Sequence, residues 1–118
     1  MLQGRHPNVL VTGPRAATRA FIVAITPSLR SPIRLLDCSG RLDLPTESGT
    51  IVLKDVDALS RHEQERLTQW LDTAQPPAWQ MIALTTIPLY RQVETGAFLD
   101  ALYYRLNIVH LEVSQAQA

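Results

Sequence analysis

The sequence predicts an α/β domain, in which a five-stranded parallel sheet lies between two layers of helices. Short runs rich in Val, Ile, Leu and Thr alternate along the chain with segments of helical spacing, and this alternation is typical of such folds. Most of the runs are continuously apolar, which suits strands that are buried on both faces. The five predicted strands are Asn8–Thr12, Ile33–Asp37, Thr50–Leu53, Gln80–Thr85 and Ile108–Val113.

The first predicted strand passes through Gly13 into a helix, an arrangement that often binds phosphate on the helix N-terminus. The usual phosphate loop reads G-x-x-x-x-G-K-[ST], whereas the same window here reads G-P-R-A-A-T-R-A. Thr18 replaces the second glycine and Arg19 replaces the lysine. Gly13 and Arg19 are candidate anion-binding residues. The alternative is that Arg19 is a solvated helix residue, since Pro14 removes one N–H from the turn.

The remaining segments alternate between helices and one irregular crossover. Residues 16–26 are apolar almost all round and predict a largely buried helix that Pro27 ends. Residues 38–49 show no helical pattern and barely reach the length that a parallel crossover needs. Ser60 and Glu63 form a predicted capping box at the start of the next helix. Pro88 and Gly96 bound a further helix, and a last one carries Phe98, Leu102 and Leu106 on one face.

Composition describes one ordinary globular domain, predicted to span residues 1–113 with a frayed polar tail over residues 114–118. The formal net charge of zero gives no case for direct nucleic-acid binding. A single cysteine, Cys38, and scattered histidines at His6, His62 and His110 predict no metal site. No apolar run is long enough to span a membrane and no signal region is present, so a cytoplasmic location is expected.

Three stretches together resemble one protein family. The run from Gly96 to Ile108 contains L-Y-Y-R-L-N and closely resembles a segment of sigma-54-interacting (NtrC-type) AAA+ transcription activators. Gly49 to Val56 is similar to the Walker B strand G-T-L-F-L-D-E-I of that family, and Met81 to Thr86 is similar to its sensor strand I-I-A-A-T-N. The resemblance covers nearly the whole chain. It implies an AAA+ (P-loop NTPase-like) core with strand order 5-1-4-3-2.

The residues that serve catalysis in the family are altered here. Lys54 stands at the aspartate that binds Mg²⁺, Asp55 at the glutamate that polarises water, and Thr86 at the sensor asparagine. Of the two arginines that reach a neighbouring subunit, the first is Leu99 and the second is retained as Arg105. The G-A-F-T-G-A loop that grips sigma-54 is replaced by the short crossover at residues 38–49. No lid is expected, because the sequence ends at residue 118.

These departures predict a pseudo-ATPase, that is, a regulatory or protein-interaction module linked to transcription regulation. The resemblance implies ATP and Mg²⁺ as cofactors, but we expect none. The family's nucleotide positions, Gly13, Arg19, Asp55 and Thr86, are then vestigial. We expect a protein partner, either an intact AAA+ activator or a second copy of this chain. The predicted contact residues are Phe98, Tyr103, Tyr104 and Arg105, where Arg105 is either a finger acting on the neighbour or a structural residue.

Two alternatives remain at this stage. A receiver domain, phosphorylated on Asp55, has a similar length and a threonine after the fourth strand, at Thr85 or Thr86. Such a domain has strand order 2-1-3-4-5 and needs an acidic pair after the first strand, which is absent. The second alternative is an ATP-binding switch without efficient hydrolysis, in which Arg19 replaces the phosphate-loop lysine.

Overall fold

Five strands and four helices make up the described part of the chain. The computed structural model describes residues 7–45, 49–73 and 80–114, so most of the predicted tail, residues 115–118, lies outside the described part. Two short 3₁₀ turns follow α1 and β3. The elements are β1 (Val9–Thr12), α1 (Arg15–Ile25), a 3₁₀ turn (Thr26–Ser28), β2 (Ile33–Asp37), β3 (Thr50–Lys54), a 3₁₀ turn (Val56–Ala58), α2 (Arg61–Thr73), β4 (Gln80–Thr85), α3 (Leu89–Thr95), α4 (Asp100–Leu106) and β5 (Val109–Glu112).

The sheet is fully parallel, and its strands lie in the order β2-β3-β4-β1-β5. This is the expected order 5-1-4-3-2 read from the opposite edge, so the predicted three-layer α/β fold is confirmed. The receiver alternative is wrong, because its order places β1 next to β2, whereas here β1 lies between β4 and β5.

Helices cover the two faces of the sheet unequally. On the face that we call the α2 face, strand residues such as Leu10 and Ile51 pack with α2, α3 and α4 into the larger core. On the opposite face, called the α1 face, Val11, Val52 and Ile82 pack mainly against α1 and the turn that follows it. The three central strands, β1, β3 and β4, therefore serve two separate cores, as their continuous apolar pattern predicts. The expectation of burial on both faces is wrong for β2 and β5, because these strands lie at the edges of the sheet and none of their residues is buried.

Helix α1 is more exposed than its composition predicts. Only Ala17 and Thr18 are buried within it, and Val23 is 68% exposed. The prediction of a largely buried helix is wrong because the described residues place no further layer outside α1. Apolar composition all round a helix indicates burial only where neighbours exist on every side.

The crossover after β2 takes the place of a helix on the α2 face. Cys38 and Leu42 are each 1% exposed and belong to the larger core. Glu63 at the start of α2 accepts a hydrogen bond from the Leu42 amide at 3.2 Å and an ion-pair bond from Arg66 at 2.6 Å. The capping box is thus half formed, since the Ser60 hydroxyl caps the Glu63 amide at 3.1 Å while the carboxylate binds the crossover instead.

A buried glutamine joins α2 to the link between α3 and α4. The side chain of Gln64 is 1% exposed and donates to the carbonyl oxygens of Leu59 and Ala97 at 3.1 and 3.0 Å. It also accepts a hydrogen bond from the Leu99 amide at 2.8 Å. The link itself follows Gly96, whose φ of 84° ends α3 in the left-handed conformation that glycine favours.

Candidate functional site

The candidate site lies where the carboxyl ends of β1, β3 and β4 meet the start of α1. The amide of Gly13 donates to the carbonyl oxygen of Thr85 at 3.1 Å, which fixes the turn after β1 to the end of β4. A Cβ atom added at Gly13 would lie 2.3 Å from the carbonyl oxygen of Val113. Close approach of the residue after β5 therefore accounts for glycine here without any phosphate.

An ion pair closes the space between this turn and β3. One nitrogen of the Arg15 guanidinium, Nη1, donates to both carboxylate oxygens of Asp55 at 2.9 Å. Asp55 follows β3 with φ 57° and ψ 56°, a left-handed conformation that aspartate adopts more readily than most residues. The sequence reasoning missed Arg15. The available signal was a basic residue two positions after Gly13, opposite an acidic residue at a strand end.

Lys54 lies at the end of β3, beside Asp37 at the end of β2. The amide and hydroxyl of Ser39, at 3.0 and 2.8 Å from Asp37 Oδ1, hold the pKa of that carboxyl below its ordinary value, and Lys54 and Arg15 add to this effect. The lysine side chain makes no hydrogen bond or ion pair with any described residue. A cationic side chain is therefore present where the family has a metal-binding carboxylate.

The two threonines at the end of β4 have different environments. Thr85 is 1% exposed, and its hydroxyl lies 3.0 Å from both Asp57 Oδ1 and the Ile87 carbonyl oxygen. The same hydroxyl accepts a bond from the Ile87 amide at 3.2 Å. Thr86, at the predicted sensor position, is exposed. The buried hydroxyl is thus used within the fold, and the predicted sensor residue faces solvent.

A cavity of about 320 Å³ opens between α1 and the strands β2, β3 and β4. We call it the α1 cavity. It brings together three of the four predicted nucleotide residues, Arg19, Asp55 and Thr86, whereas Gly13 is not part of its lining. The other lining residues are Arg15, Thr18, Ile22, Val23, Leu35, Lys54, Leu84 and Thr85.

The residues present do not fit a Mg²⁺–nucleotide complex. Magnesium requires oxygen ligands, but Lys54 offers an ammonium group and Asp55 is already bound to Arg15. Pro14, at the N-cap of α1, has no N–H to offer a phosphate. Among the described residues, no group of three or more His, Cys, Asp and Glu side chains is arranged to hold a metal ion.

The predicted contact residues divide into buried and exposed pairs. Phe98 is 1% and Tyr103 8% exposed, so their side chains face the core and not a partner. Tyr104 is 62% exposed, with its ring 5.3 Å from that of Tyr103. Arg105 forms an ion pair with Asp72 and donates to the Leu71 carbonyl oxygen at 2.9 Å, which ties it to α2 of its own chain.

The comparisons with known proteins agree with this fold. A sequence profile described as the Sigma-54 interaction domain matches residues 2–115. The structure of NtrX from Brucella abortus in complex with ADP is similar, with a TM-score of 0.75 and 17% identity over 95% of this chain. The P-loop NTPase domain of a sigma-54 activator from E. coli gives a TM-score of 0.63 and 14% identity, over 98% of this chain and 91% of that one.

A third solved structure shares the fold as well. A RuvB mutant from Thermotoga maritima matches with a TM-score of 0.60 and 18% identity, over 90% of this chain and 38% of its own. This chain spans 33% of the length of the NtrX structure. A comparison with curated proteins found no match.

In the described part of the chain, no helix is both long and apolar enough to cross a membrane.

Proposed function

The chain belongs to the sigma-54 interaction domain family, and we propose that it is a catalytically inactive AAA+ member that acts as a regulatory or protein-interaction module in transcription regulation. The ion pair between Arg15 and Asp55 carries the proposal. In the family, this carboxylate position serves to polarise the attacking water. Here both oxygens accept bonds from a guanidinium at 2.9 Å, so the carboxylate already has a cationic partner.

The neighbouring charges support the same conclusion. A general base needs a free lone pair directed at its proton, and a metal ligand needs a free oxygen. Asp55 is 24% exposed in its side chain and paired with Arg15, and Lys54 adds positive charge where a metal cation would lie. Placing Mg²⁺ there would set the metal cation beside both the Arg15 guanidinium and the Lys54 ammonium group, which repel it.

Isothermal titration with ATP and Mg²⁺, combined with a phosphate-release assay, tests this proposal. We expect neither saturable Mg²⁺–ATP binding nor turnover. Binding without turnover would instead support the ATP-binding switch in which Arg19 replaces the lysine. Turnover that is lost in Asp55→Asn but retained in Asp37→Asn would refute the inactive assignment. Both variants remove a carboxylate at the carboxyl ends of the strands, but only Asp55 stands at the family's catalytic position.

The protein contact is proposed to involve Tyr104 on α4. This helix lies in the run from Gly96 to Ile108 that resembles the family. The Tyr104 ring is exposed on the outside of the helix, whereas Arg105 is bound to α2 and is proposed to be structural. Exposed aromatic side chains are common anchors of protein interfaces. The proposed partner is an intact AAA+ activator or a second copy of this chain.

Sedimentation of the chain alone, and mixed with an AAA+ activator from the same cell, tests the contact. We expect association that weakens in Tyr104→Ser. The matched control is Val23→Ser, because Val23 is 68% exposed on α1, on the opposite face of the sheet. Equal loss in both variants, or association unaffected by either, would contradict a role for Tyr104.

A further inference from the structure

We infer that the α1 cavity is a binding site for a small amphipathic anion, meaning a carboxylate or sulfonate joined to an apolar body. This site goes beyond the proposed function. It does not depend on whether ATP is hydrolysed. The inference rests on two independent features of the lining, namely cations without partners and apolar side chains without cover.

The charges of the lining favour an anion. Three cations, Arg15, Arg19 and Lys54, face the cavity together with one carboxylate, Asp55. Arg15 is paired with that carboxylate at 2.9 Å. The side chains of Arg19 and Lys54 make no hydrogen bond or ion pair with any described residue. An anionic group between these two cations would form charge-assisted hydrogen bonds that the protein itself does not supply.

The apolar part of the lining favours an anion that carries an apolar body over an inorganic anion such as phosphate. Val23 on α1 is 68% exposed and Leu35 on β2 is 65% exposed, and both line the same cavity. Ile22 and Leu84 extend this apolar wall. Large apolar side chains that remain open to water on two separate elements indicate a surface that a ligand covers. A phosphate ion would leave this wall exposed, whereas an apolar body attached to the anion would bury it.

The size of the cavity sets the class of ligand. At about 320 Å³ it lies at the lower end of the range for ligand pockets, which is roughly 300–1,000 Å³. That volume suits a small aromatic or short aliphatic acid. Arg15, Thr18 and Arg19 of the phosphate-loop window line the cavity, whereas Gly13 does not. The exposed Thr86 adds a polar side chain at the rim.

A fluorescent amphipathic anion provides the test. We would titrate the protein with 8-anilinonaphthalene-1-sulfonate and with N-phenyl-1-naphthylamine, which has the same rings without the sulfonate. The expected result is one sulfonated dye bound per chain. The double variant R19Q/K54Q should weaken its binding about tenfold or more, because it removes both unpaired cations. Leu35→Gln should weaken it about fivefold through lost apolar contact.

Matched variants separate this site from general surface binding. Arg91→Gln removes an exposed charge on α3, and Ile108→Gln removes an apolar side chain that is 60% exposed far from the cavity. Neither should change dye affinity. The inference is overturned if these controls weaken binding as much as the cavity variants, or if the neutral dye binds equally well. Displacement of the dye by Mg²⁺–ATP but not by a short alkyl sulfonate would also overturn it, because the cavity would then be a nucleotide site.

Discussion

Gly13→Ala tests whether this glycine is retained for packing or for a phosphate. The new Cβ would lie 2.3 Å from the Val113 carbonyl oxygen and 2.7 Å from its Cγ2, whereas ordinary contact begins at 3.4 Å. The backbone after β5 would have to withdraw by about 1 Å. That movement strains the hydrogen bond from the Val113 amide to the Thr12 carbonyl oxygen, now 2.9 Å long.

The expected net loss of unfolding free energy is about 1–2 kcal/mol. Overpacking of this kind costs about 1–3 kcal/mol. The alanine recovers about 0.4–1 kcal/mol by restricting the unfolded chain, since the φ of Gly13 lies outside the left-handed region. The packing cost is the larger effect, so the variant is destabilised. For a domain of this size, the melting temperature should fall by about 4–8 °C.

Urea unfolding followed by far-UV circular dichroism measures the difference. Gly40→Ala is the matched control, because nothing lies within 4 Å of its added Cβ and its φ is not left-handed. It should be neutral or slightly stabilising. If Gly13→Ala were as stable as Gly40→Ala, the packing explanation would fail. Partial rescue of Gly13→Ala by Val113→Ala is also expected, because truncation removes Cγ2 but leaves the carbonyl oxygen in place.

Three further predictions concern the α2 face. Gln64→Leu should cost about 2–4 kcal/mol in urea unfolding, since it leaves the Leu99 amide and two carbonyl groups unpaired. Burial alone would raise the pKa of Glu63, but the hydrogen bonds from the Leu42 amide and Arg66 hold that pKa below the ordinary 4.5. The stability that this carboxylate contributes is therefore fully present above pH 4.5 and is lost as the pH falls through the lower pKa of the folded state. This acid dependence should weaken in Glu63→Gln. Burial raises the pKa of Cys38 to about 12, so its thiol should resist a disulfide reagent at pH 8 until the protein unfolds.

Each of these predictions has a defined contrary result. A Gln64→Leu variant as stable as the parent would show that the three bonds are dispensable. An acid dependence identical in parent and Glu63→Gln, measured as midpoint denaturant concentration against pH, would remove the carboxylate from the explanation. Rapid reaction of Cys38 in the native protein would contradict its burial. The control for this last measurement is complete reaction in strong denaturant.

The strands and their order could be predicted because their signal is local. Continuous Val, Ile and Leu marked the strands, although only β1, β3 and β4 contain buried residues, and the family resemblance supplied the order. The exposure of α1 could not be read in this way. Whether Val23 is buried depends on what lies outside the helix, and that depends on the rest of the fold rather than on the helix sequence.

The site was predicted in part. Arg19, Asp55 and Thr86 do share a cavity, because the carboxyl ends of parallel strands meet at one edge of a sheet. The pairing of Arg15 with Asp55 joins residues 40 positions apart, and sequence spacing alone does not specify such a contact. The same holds for Glu63. Its carboxylate was predicted to cap α2, but it accepts a hydrogen bond from the Leu42 amide, 21 positions earlier in the chain.

The position of β1 between β4 and β5 also has a consequence for synthesis. The Asn8 side chain bonds to the Met81 amide and the Arg105 carbonyl oxygen, 73 and 97 positions later in the chain. At about 5–20 residues per second, a ribosome delivers these partners roughly 4–20 s after Asn8. During that interval β1 is an apolar strand with two open edges, whereas β2 and β3 can already pair. Until these partners are synthesised, the apolar residues of β1 lack the neighbouring strands that bury them in the fold.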